Sequence, residues 1–357
     1  MQEQMKQILE LFSQPAFFAR DGKVCWCNGA ARSLLEEGTA ISAVLEGGEA
    51  LFSQWDRTGT LMLPLTLDGK AYDASVRATE DGALFVANRC EADNEASASA
   101  LFSASVSLRK PLHAMVSAAD ALFENLGEAA GAKDAAARLN QSIYQFIRLC
   151  NQMADGSELL LHRKTLRRAP TDMGAFFERF LQEAQPLVST TGRTLEFKPL
   201  DAPVSADADT ELLQRALYNL LANALSYTPK GGAVRLSARK EDDLLLITVS
   251  DSGSGISKDL QSSLFDRFNR QEVGDSRRGI GLGLSITREI ARLHGGTLTV
   301  ASGENGGAAV TFSLSLKKSP LPLRSTGIVL PPPRFHQGLV ELSEVLDAKL
   351  YDPNEVP

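Results

Sequence analysis

The chain has 357 residues, too many for one typical domain, so two or three units with separate cores are expected. Hydrophobic residues make up 43% and charged residues 23%, which excludes extensive disorder. The formal net charge of -7 gives no general attraction for nucleic acid or for an anionic membrane. We find no apolar run near the roughly 18 residues of a membrane span and no signal-peptide core, so the sequence predicts a cytoplasmic protein.

The four cysteines do not have the spacing of a metal site. Cys25 and Cys27 would lie on one face of a strand, and Cys90 and Cys150 do not supply a second pair. We therefore expect free thiols that are buried or half-buried.

Residues 1–92 predict a small α/β domain. An amphipathic segment precedes short strands of alternating hydrophobicity, which are predicted over residues 15–20, 23–28, 59–67, 71–79 and 82–88. A strand, the Asp21-Gly22 turn, a second strand and a helix over residues 28–35 resemble the start of PAS sensor domains. Such domains hold a ligand or a partner in a curved antiparallel sheet. A structural or dimerising domain without ligand is the alternative.

Residues 93–161 show the pattern of two long helices. Apolar residues recur at helical spacing from Leu101 to Leu126, and a second apolar stripe covers residues 134–153 after a glycine-containing break. A helical hairpin alone buries too little surface, so pairing with a second copy into a four-helix bundle is expected. The sequence thus predicts a homodimer formed through this hairpin.

Residues 162–317 alternate between helix and strand, which predicts a two-layer α/β sandwich. A basic, turn-like stretch leads into a helix over residues 173–189, and a second helix covers residues 210–227. Strands are predicted over residues 195–197, 234–239, 244–249, 297–301 and 309–316. The fold class of the whole chain is therefore multidomain α+β.

Residues 318–357 are predicted to form a proline-rich linker and a C-terminal tail. One amphipathic, acidic helix is expected over residues 338–350. We expect it to dock weakly through Leu339, Leu342, Val345 and Leu346, because a lone helix of this length is marginal in water. A disordered tail is the alternative.

Two asparagines lie four residues apart in the predicted helix 210–227. Asn219 and Asn223 therefore project from the same face of that helix. An amide oxygen suits Mg²⁺, which keeps most of its waters and needs only one or two protein oxygens besides phosphates. The alternative is an ordinary polar helix face.

A second motif, Asp251-Ser-Gly253-Ser-Gly255, directly follows an apolar strand. A carboxylate at a strand end can accept a hydrogen bond from the exocyclic amine of adenine. Glycines let the backbone approach the ring without a Cβ atom in the way. Taken alone, the motif is also a turn signature.

Two further motifs carry cations and glycines. In the stretch 264–270, Arg267 and Arg270 could reach phosphates, and a surface helix with two core aromatics is the alternative. In the stretch 278–286, three alternate glycines precede a helix, where exposed N–H groups and the helix terminus suit a polyphosphate. A Rossmann interpretation fails because no strand precedes these glycines and their spacing differs. His294, before Gly295, is expected to be a cation at a helix C-terminus.

Together, in this order, the four motifs resemble the N, G1, F and G2 boxes of sensor histidine kinases, over about residues 101–317. The resemblance implies a Bergerat-type ATP·Mg²⁺ pocket in which Asn223 is the Mg²⁺ ligand, Asp251 reads adenine and Tyr227 stacks on the base. It also implies that the loop 268–278 is the ATP lid. The implied nucleotide-binding residues are Asn219, Asn223, Tyr227, Asp251, Gly253, Gly255, Arg267, Phe268, Arg270, Gly279, Gly281, Leu282, Gly283 and Leu284. Ser226 departs from the family, which usually has Lys or Arg at this place.

The larger departure is in the helical hairpin. Residues 108–112 match the second half of the family's phosphoacceptor motif, but that register puts Val106 where the histidine nucleophile should be. Ser107 stands where the activating acidic residue should be. Valine has no atom that can accept a phosphoryl group, so the usual autophosphorylation should fail. His113, two turns further along, is a weak alternative acceptor because its neighbour is Ala114 and not a carboxylate.

Two hypotheses about function follow from these observations. The first is a sensor histidine kinase that, if active, passes a phosphoryl group from ATP to histidine and on to a response regulator. The second is a non-catalytic, ATP-dependent switch or scaffold that lacks the phosphoacceptor, which the missing histidine favours. A kinase acting on a partner's serine is disfavoured, since relatives of that kind lack the helical hairpin.

Overall fold

The computed structural model describes most of the predicted units. The described residues are 3–45, 52, 60–79, 81–89, 104, 108, 112, 115–116, 119, 130–160, 166–255, 283–302, 307–317 and 336–353.

The N-terminal part is a five-stranded antiparallel sheet with short helices beside it. Its strands are β1 (Ala16–Arg20), β2 (Lys23–Cys27), β3 (Thr60–Leu67), β4 (Lys70–Thr79) and β5 (Gly82–Arg89), in the order β2-β1-β5-β4-β3. Helix α1 (Glu3–Glu10) precedes β1, and the short α2 (Gly29–Arg32) follows β2. The predicted strands are present here with small shifts at their ends.

Asn28 explains how the chain turns from strand into helix at this point. Its side chain is fully buried, and Oδ1 accepts hydrogen bonds from the backbone N–H groups of Ala16 and Ala31. Its Nδ2 donates to the carbonyl oxygens of Leu9 and Gln14. One amide thus caps α2 and ties it to the segment before β1. The predicted helix 28–35 was too long, because a turn follows Arg32.

A long helix, α3 (Ala130–Leu160), leads towards the C-terminal half and exceeds the predicted range 134–153. Residues Leu112, Val116 and Ala119 are helical and buried in the same core as Ile143 of α3. Val106, Ser107 and His113 lie outside the described residues. None of the helices in the described ranges is both long enough and apolar enough to cross a membrane.

The C-terminal half is an α/β sandwich. Its helices are α4 (Met173–Thr190), α5 (Thr210–Tyr227) and α6 (Gly283–Leu293). Its main strands are β7 (Thr194–Lys198), β9 (Ala233–Glu241), β10 (Leu244–Asp251), β11 (Leu298–Ser302) and β12 (Ala308–Ser315), in the order β11-β12-β10-β9-β7. The pair β7–β9 is parallel and the other pairs are antiparallel. Alternate β10 residues, such as Leu245 and Ile247, belong to the core that also contains the helices.

A two-stranded sheet within this half was not predicted. Strand β6 (Ala169–Asp172) pairs antiparallel with β8 (Ser205–Ala208) just before α4 and α5 begin. Both strands are four residues long and contain Pro or Asp, which are depleted in strands. For this reason their sequences did not show the alternation on which the prediction depended.

The N-terminal sheet and the sheet of the C-terminal half are continuous. Strand β3 pairs with β11 through Leu61 opposite Thr299 and Thr60 opposite Val300. On β10, Leu244 and Leu246 point away from the helices and are buried in the core of the N-terminal part. One face of the C-terminal sheet is therefore partly covered by the N-terminal domain.

The tail is packed, but not as the single helix predicted over residues 338–350. Helix α7 (Gln337–Glu341) ends after five residues, turns follow, and a 3₁₀ helix covers Ala348–Tyr351. The Asp347 side chain accepts a hydrogen bond from the N–H of Lys349 and so begins a new turn. The Tyr351 hydroxyl donates back to the carbonyl of Leu339 at 2.8 Å. These local hydrogen bonds favour a compact turn over a continuous helix.

Candidate nucleotide-binding site

Helix α5 places the two predicted asparagines. The Asp209 side chain caps the helix by accepting a hydrogen bond from the N–H of Leu212, so the helix begins at Thr210 as the sequence predicts. Apolar residues on its inner face fix its rotation against the sheet. Asn219 is 2% exposed, and Asn223, one turn later, is half-buried.

Among the residues that the structure describes, the buried Asn219 amide has no hydrogen-bond partner. Neither its Oδ1 nor its Nδ2 makes a hydrogen bond to any residue that the structure describes. A Cβ atom built on Gly283, the first residue of α6, would lie 3.7 Å from both Cγ and Oδ1 of Asn219. The start of α6 therefore sits beside this amide. Burial of an unpaired amide is unfavourable, and such a group is expected to have a ligand or water as its partner.

Asp251, at the end of β10, is held by two backbone N–H groups. Its Oδ1 accepts from Gly253 at 2.9 Å and from Ala308 at 3.3 Å. Within the described ranges, Oδ2 has no hydrogen-bond partner. The carboxylate is thus fixed in orientation with one oxygen available to a donor, which the predicted contact with an adenine amine requires.

Two glycines make close backbone approaches around Asp251. A Cβ atom on Gly253 would lie 2.5 Å from the carbonyl oxygen of Tyr227, and one on Gly307 would lie 1.8 Å from the carbonyl oxygen of Asp251. Gly255 has a φ of 72°, in the left-handed region that favours glycine. Tyr227 itself is 53% exposed at the end of α5. The end of α5, the end of β10 and the start of β12 therefore meet at one place.

The sequence prediction did not include Gly307 and Ala308. Their signal was weak, because a glycine pair before a strand usually indicates a simple turn. The need for glycine at position 307 comes from the approach of β10, which only the assembled sheet shows.

His294 was predicted wrongly as a cation. Its Nε2 accepts a hydrogen bond from the N–H of Asp209 at 3.1 Å, and its Nδ1 lies 2.8 Å from the carbonyl oxygen of Ile290. Burial lowers the pKa of His294 below its ordinary value, and Arg168 lowers it further. The ring is neutral and joins the end of α6 to the start of α5. The glycine cap was predicted correctly, since Gly295 has a φ of 74°.

The structure brings some of the predicted site residues together and does not describe others. Asn219 lies beside Gly283, and Tyr227, Asp251 and Gly253 form a second group. Leu284 follows Gly283 in α6 and packs against the main core. The predicted residues outside the described ranges are Arg267, Phe268, Arg270, Gly279, Gly281 and Leu282. The roles of all the site residues remain predictions.

The cysteines do not enter this site. Cys27 and Cys150 are buried free thiols as predicted, but the free thiol of Cys25 is exposed, contrary to the prediction. Burial raises the pKa of the Cys27 thiol to about 11, so it is not a reactive thiolate. Cys90 lies outside the described residues.

Comparison with known proteins identifies the class of this α/β sandwich. Residues 208–318 match the family described as histidine kinase-, DNA gyrase B-, and HSP90-like ATPase. The match covers the helix with both asparagines, the Asp251 motif and α6.

Individual relatives are histidine kinases. The chain is 30% identical over 263 residues to the histidine protein kinase DivJ of Caulobacter vibrioides, covering 72% of this chain and 44% of that protein. It is 33% identical over 224 residues to the sensor histidine kinase WalK of Bacillus subtilis, covering 59% and 35%. A crystal structure of full-length ShkA with AMPPNP is 25% identical, with a TM-score of 0.52, covering 62% and 47%. The chain spans less than half the length of each of these three proteins.

Residues 208–318 therefore belong to this ATPase family, and the chain is similar to histidine kinases over as much as 72% of its length. The expectation of a histidine kinase-like ATP-binding domain, drawn from the four motifs, is confirmed.

Proposed function

We propose that the site formed by α5, the end of β10 and the start of α6 binds ATP together with Mg²⁺. The observation that carries this proposal is the buried Asn219 amide, which has no partner in the described part of the chain and faces Gly283. A second observation is Asp251, which keeps one carboxylate oxygen available beside the exposed Tyr227 ring. In this proposal, adenine lies between Asp251 and Tyr227, and the phosphates extend towards Asn219 and Gly283.

The residues present fit a magnesium ion that is bound mainly through the nucleotide. Asn223 would supply one amide oxygen, and the phosphates and waters would supply the rest, as is usual for Mg²⁺. When bound, Mg²⁺ neutralises phosphate charge. The half-buried position of Asn223, one helical turn from Asn219, supports this assignment.

We propose further that this chain signals by nucleotide occupancy and not by phosphorylation of the usual hairpin position. Val106 replaces the phosphoacceptor histidine and Ser107 replaces the activating acid. Val106 cannot act as the nucleophile, and Ser107 cannot act as the activating acid, so the pair that the reaction needs is missing. The competing function is histidine kinase activity through His113, which has no neighbouring carboxylate in sequence to act as a base.

The other domains fit a signalling role in this proposal. The five-stranded antiparallel sheet with helices after its second strand supports a PAS-like sensor in residues 1–92. Met115 and Leu139 are 48% and 40% exposed in the helical region, as expected for a hairpin that pairs with a second copy. We propose a homodimer through this hairpin and a response regulator or other signalling protein as the partner.

A binding and labelling experiment tests the proposal. The purified 357-residue chain is titrated with a fluorescent ATP analogue with and without Mg²⁺ and is then incubated with labelled ATP, alone and with candidate partner proteins. We expect Mg²⁺-dependent binding and no acid-labile label on the chain. Absence of nucleotide binding would refute the site, and acid-labile label that is lost in His113→Ala would refute the switch. Acid-stable label on a partner would show a different kinase activity and would also refute the switch.

A further inference from the structure

The C-terminal segment, residues 336–353, lies in a groove between two parts of the molecule. On one side is the long helix α3, and on the other are α4 and α5 of the ATP-binding domain. Leu342 is fully buried, and Leu339 and Leu346 are nearly so, within the main core. A Cβ atom on Gly338 would lie 2.7 Å from Cδ1 of Leu187 and 2.9 Å from the hydroxyl of Tyr218, so the segment enters the groove at a glycine.

Helix α3 binds the segment through side-chain amides. Asn140 Nδ2 donates to the carbonyl of Tyr351 at 3.0 Å. Gln141 Nε2 donates to the carbonyls of Ser343 and Leu346 at 3.0 and 2.9 Å, and Gln145 Nε2 donates to Ser343 at 3.1 Å. These three amides satisfy carbonyls of turns that have no helical partner of their own. Helix α3 thus recognises the backbone of the segment, much as it would recognise a bound peptide.

A buried ionic cluster joins all three parts. Glu341 of the segment lies 3.7 Å from Nε of Arg148 on α3 and 3.9 Å from Nε of Arg215 on α5. Arg148 also lies 2.8 Å from Glu344, and Arg215 pairs with Asp155 of α3. Glu341 is 4% exposed, and among the described residues its ion-pair partners come from the two parts that it bridges. Breaking a buried ion pair by removing one partner is costly, because it leaves an uncompensated buried charge.

From these contacts we infer that residues 336–353 form an intramolecular strap, which fastens the ATP-binding domain to helix α3 and can be displaced from its groove. Eighteen residues, 318–335, separate the strap from the ATP-binding domain, and five of them are proline. A tether of this length keeps a released strap near its groove, so release is reversible. Displacement would expose the groove and free the domain to move relative to α3. This inference does not depend on the proposed ATP site.

The test compares full-length variants by hydrogen exchange and small-angle X-ray scattering, without nucleotide. Leu342→Asp places a carboxylate in the groove and should release the strap. Lys349→Gln, at an exposed position of the same segment, is the control. In Leu342→Asp we expect exchange of the strap and of the adjoining faces of α3 and α5 to rise by more than about tenfold. Protection of β9, β10 and β12 should be unchanged, and the scattering should show a broader distance distribution.

In the second part of the test, a synthetic peptide with the sequence of residues 336–353 is added to each variant. We expect this peptide to restore protection of α3 and α5 in Leu342→Asp, because the groove residues themselves are unchanged. Loss of protection throughout β10 and β12 would overturn the inference, since the segment would then be part of the domain core. Unchanged protection of α3 and α5, or no effect of the peptide, would overturn it as well.

Discussion

Replacement of Asp251 by Asn should reduce the affinity for ATP selectively through the base. In the wild-type chain, Oδ1 accepts from the N–H groups of Gly253 and Ala308. The amide oxygen of an Asn side chain would take this place, because only it can accept those two hydrogen bonds. The NH₂ group would then occupy the position of Oδ2 and would face the exocyclic amine of adenine, donor against donor.

The expected loss can be estimated from the hydrogen bond that disappears. A hydrogen bond to a charged group contributes about 1.5–3 kcal/mol, and each 1.4 kcal/mol corresponds to a tenfold change in Kd. The affinity for ATP should therefore fall by about 10- to 140-fold. Inosine triphosphate carries a carbonyl oxygen in place of the amine. The Asp251→Asn variant should therefore bind it as tightly as the wild-type chain does, or more tightly.

Isothermal titration of ATP and inosine triphosphate into both proteins measures this difference. Asp243→Asn is the matched control, because Asp243 is an exposed carboxylate that lies 3.7 Å from Lys317, remote from the predicted base site. An equal loss for both nucleotides, or unchanged ATP affinity, would refute the assignment of Asp251 as the adenine reader.

Three further predictions concern the metal, the nucleophile and the pH. Asn223→Ala should abolish the gain in ATP affinity on adding Mg²⁺ while Asn151→Ala, on α3, leaves it unchanged; equal Mg²⁺ dependence in both would contradict the metal assignment. Val106→His alone should give no acid-labile label from ATP, and label is expected only with Ser107→Glu added, since the carboxylate contributes roughly 10²–10⁴ in rate. Label in Val106→His alone would contradict this argument. The free energy of unfolding, measured in urea, should decrease as the pH is lowered below about 6.5, by up to about 1.4 kcal/mol per pH unit. The reason is that folding lowers the pKa of His294, so the unfolded chain binds the proton first. His294→Gln should flatten that slope between about pH 7.5 and 5.5, and an unchanged slope would contradict it.

The sequence was most informative where local signals and packing agreed. Helix α5 has its predicted bounds because Asp209 caps its start and the apolar spacing covers its whole length. The tail shows the opposite case. Its apolar residues were recognised, but Asp347 and Tyr351 make local hydrogen bonds that break the predicted helix, and the partners on α3 are about 200 residues away in sequence. No short-range pattern contains such contacts.

The candidate site divides in the same way. Asn219 and Asp251 could be named as candidate site residues because the four motifs together resemble one family, although each motif alone had a structural alternative. Gly307 could not, since its requirement for a missing Cβ arises only when β12 meets β10. The neutral state of His294 also depends on tertiary structure, because burial against Asp209 and Ile290 outweighs the preference for a cation at the end of a helix.

The junction between β3 and β11 has a consequence for solubility. An open sheet edge exposes unpaired N–H and C=O groups and invites pairing with another chain. Here each domain covers the edge of the other, and the N-terminal domain also covers Leu244 and Leu246. A fragment that begins after residue 92 would leave the edge of β11 and both leucines in contact with water. Such a fragment should self-associate, because the N-terminal domain would no longer protect its neighbour from aggregation.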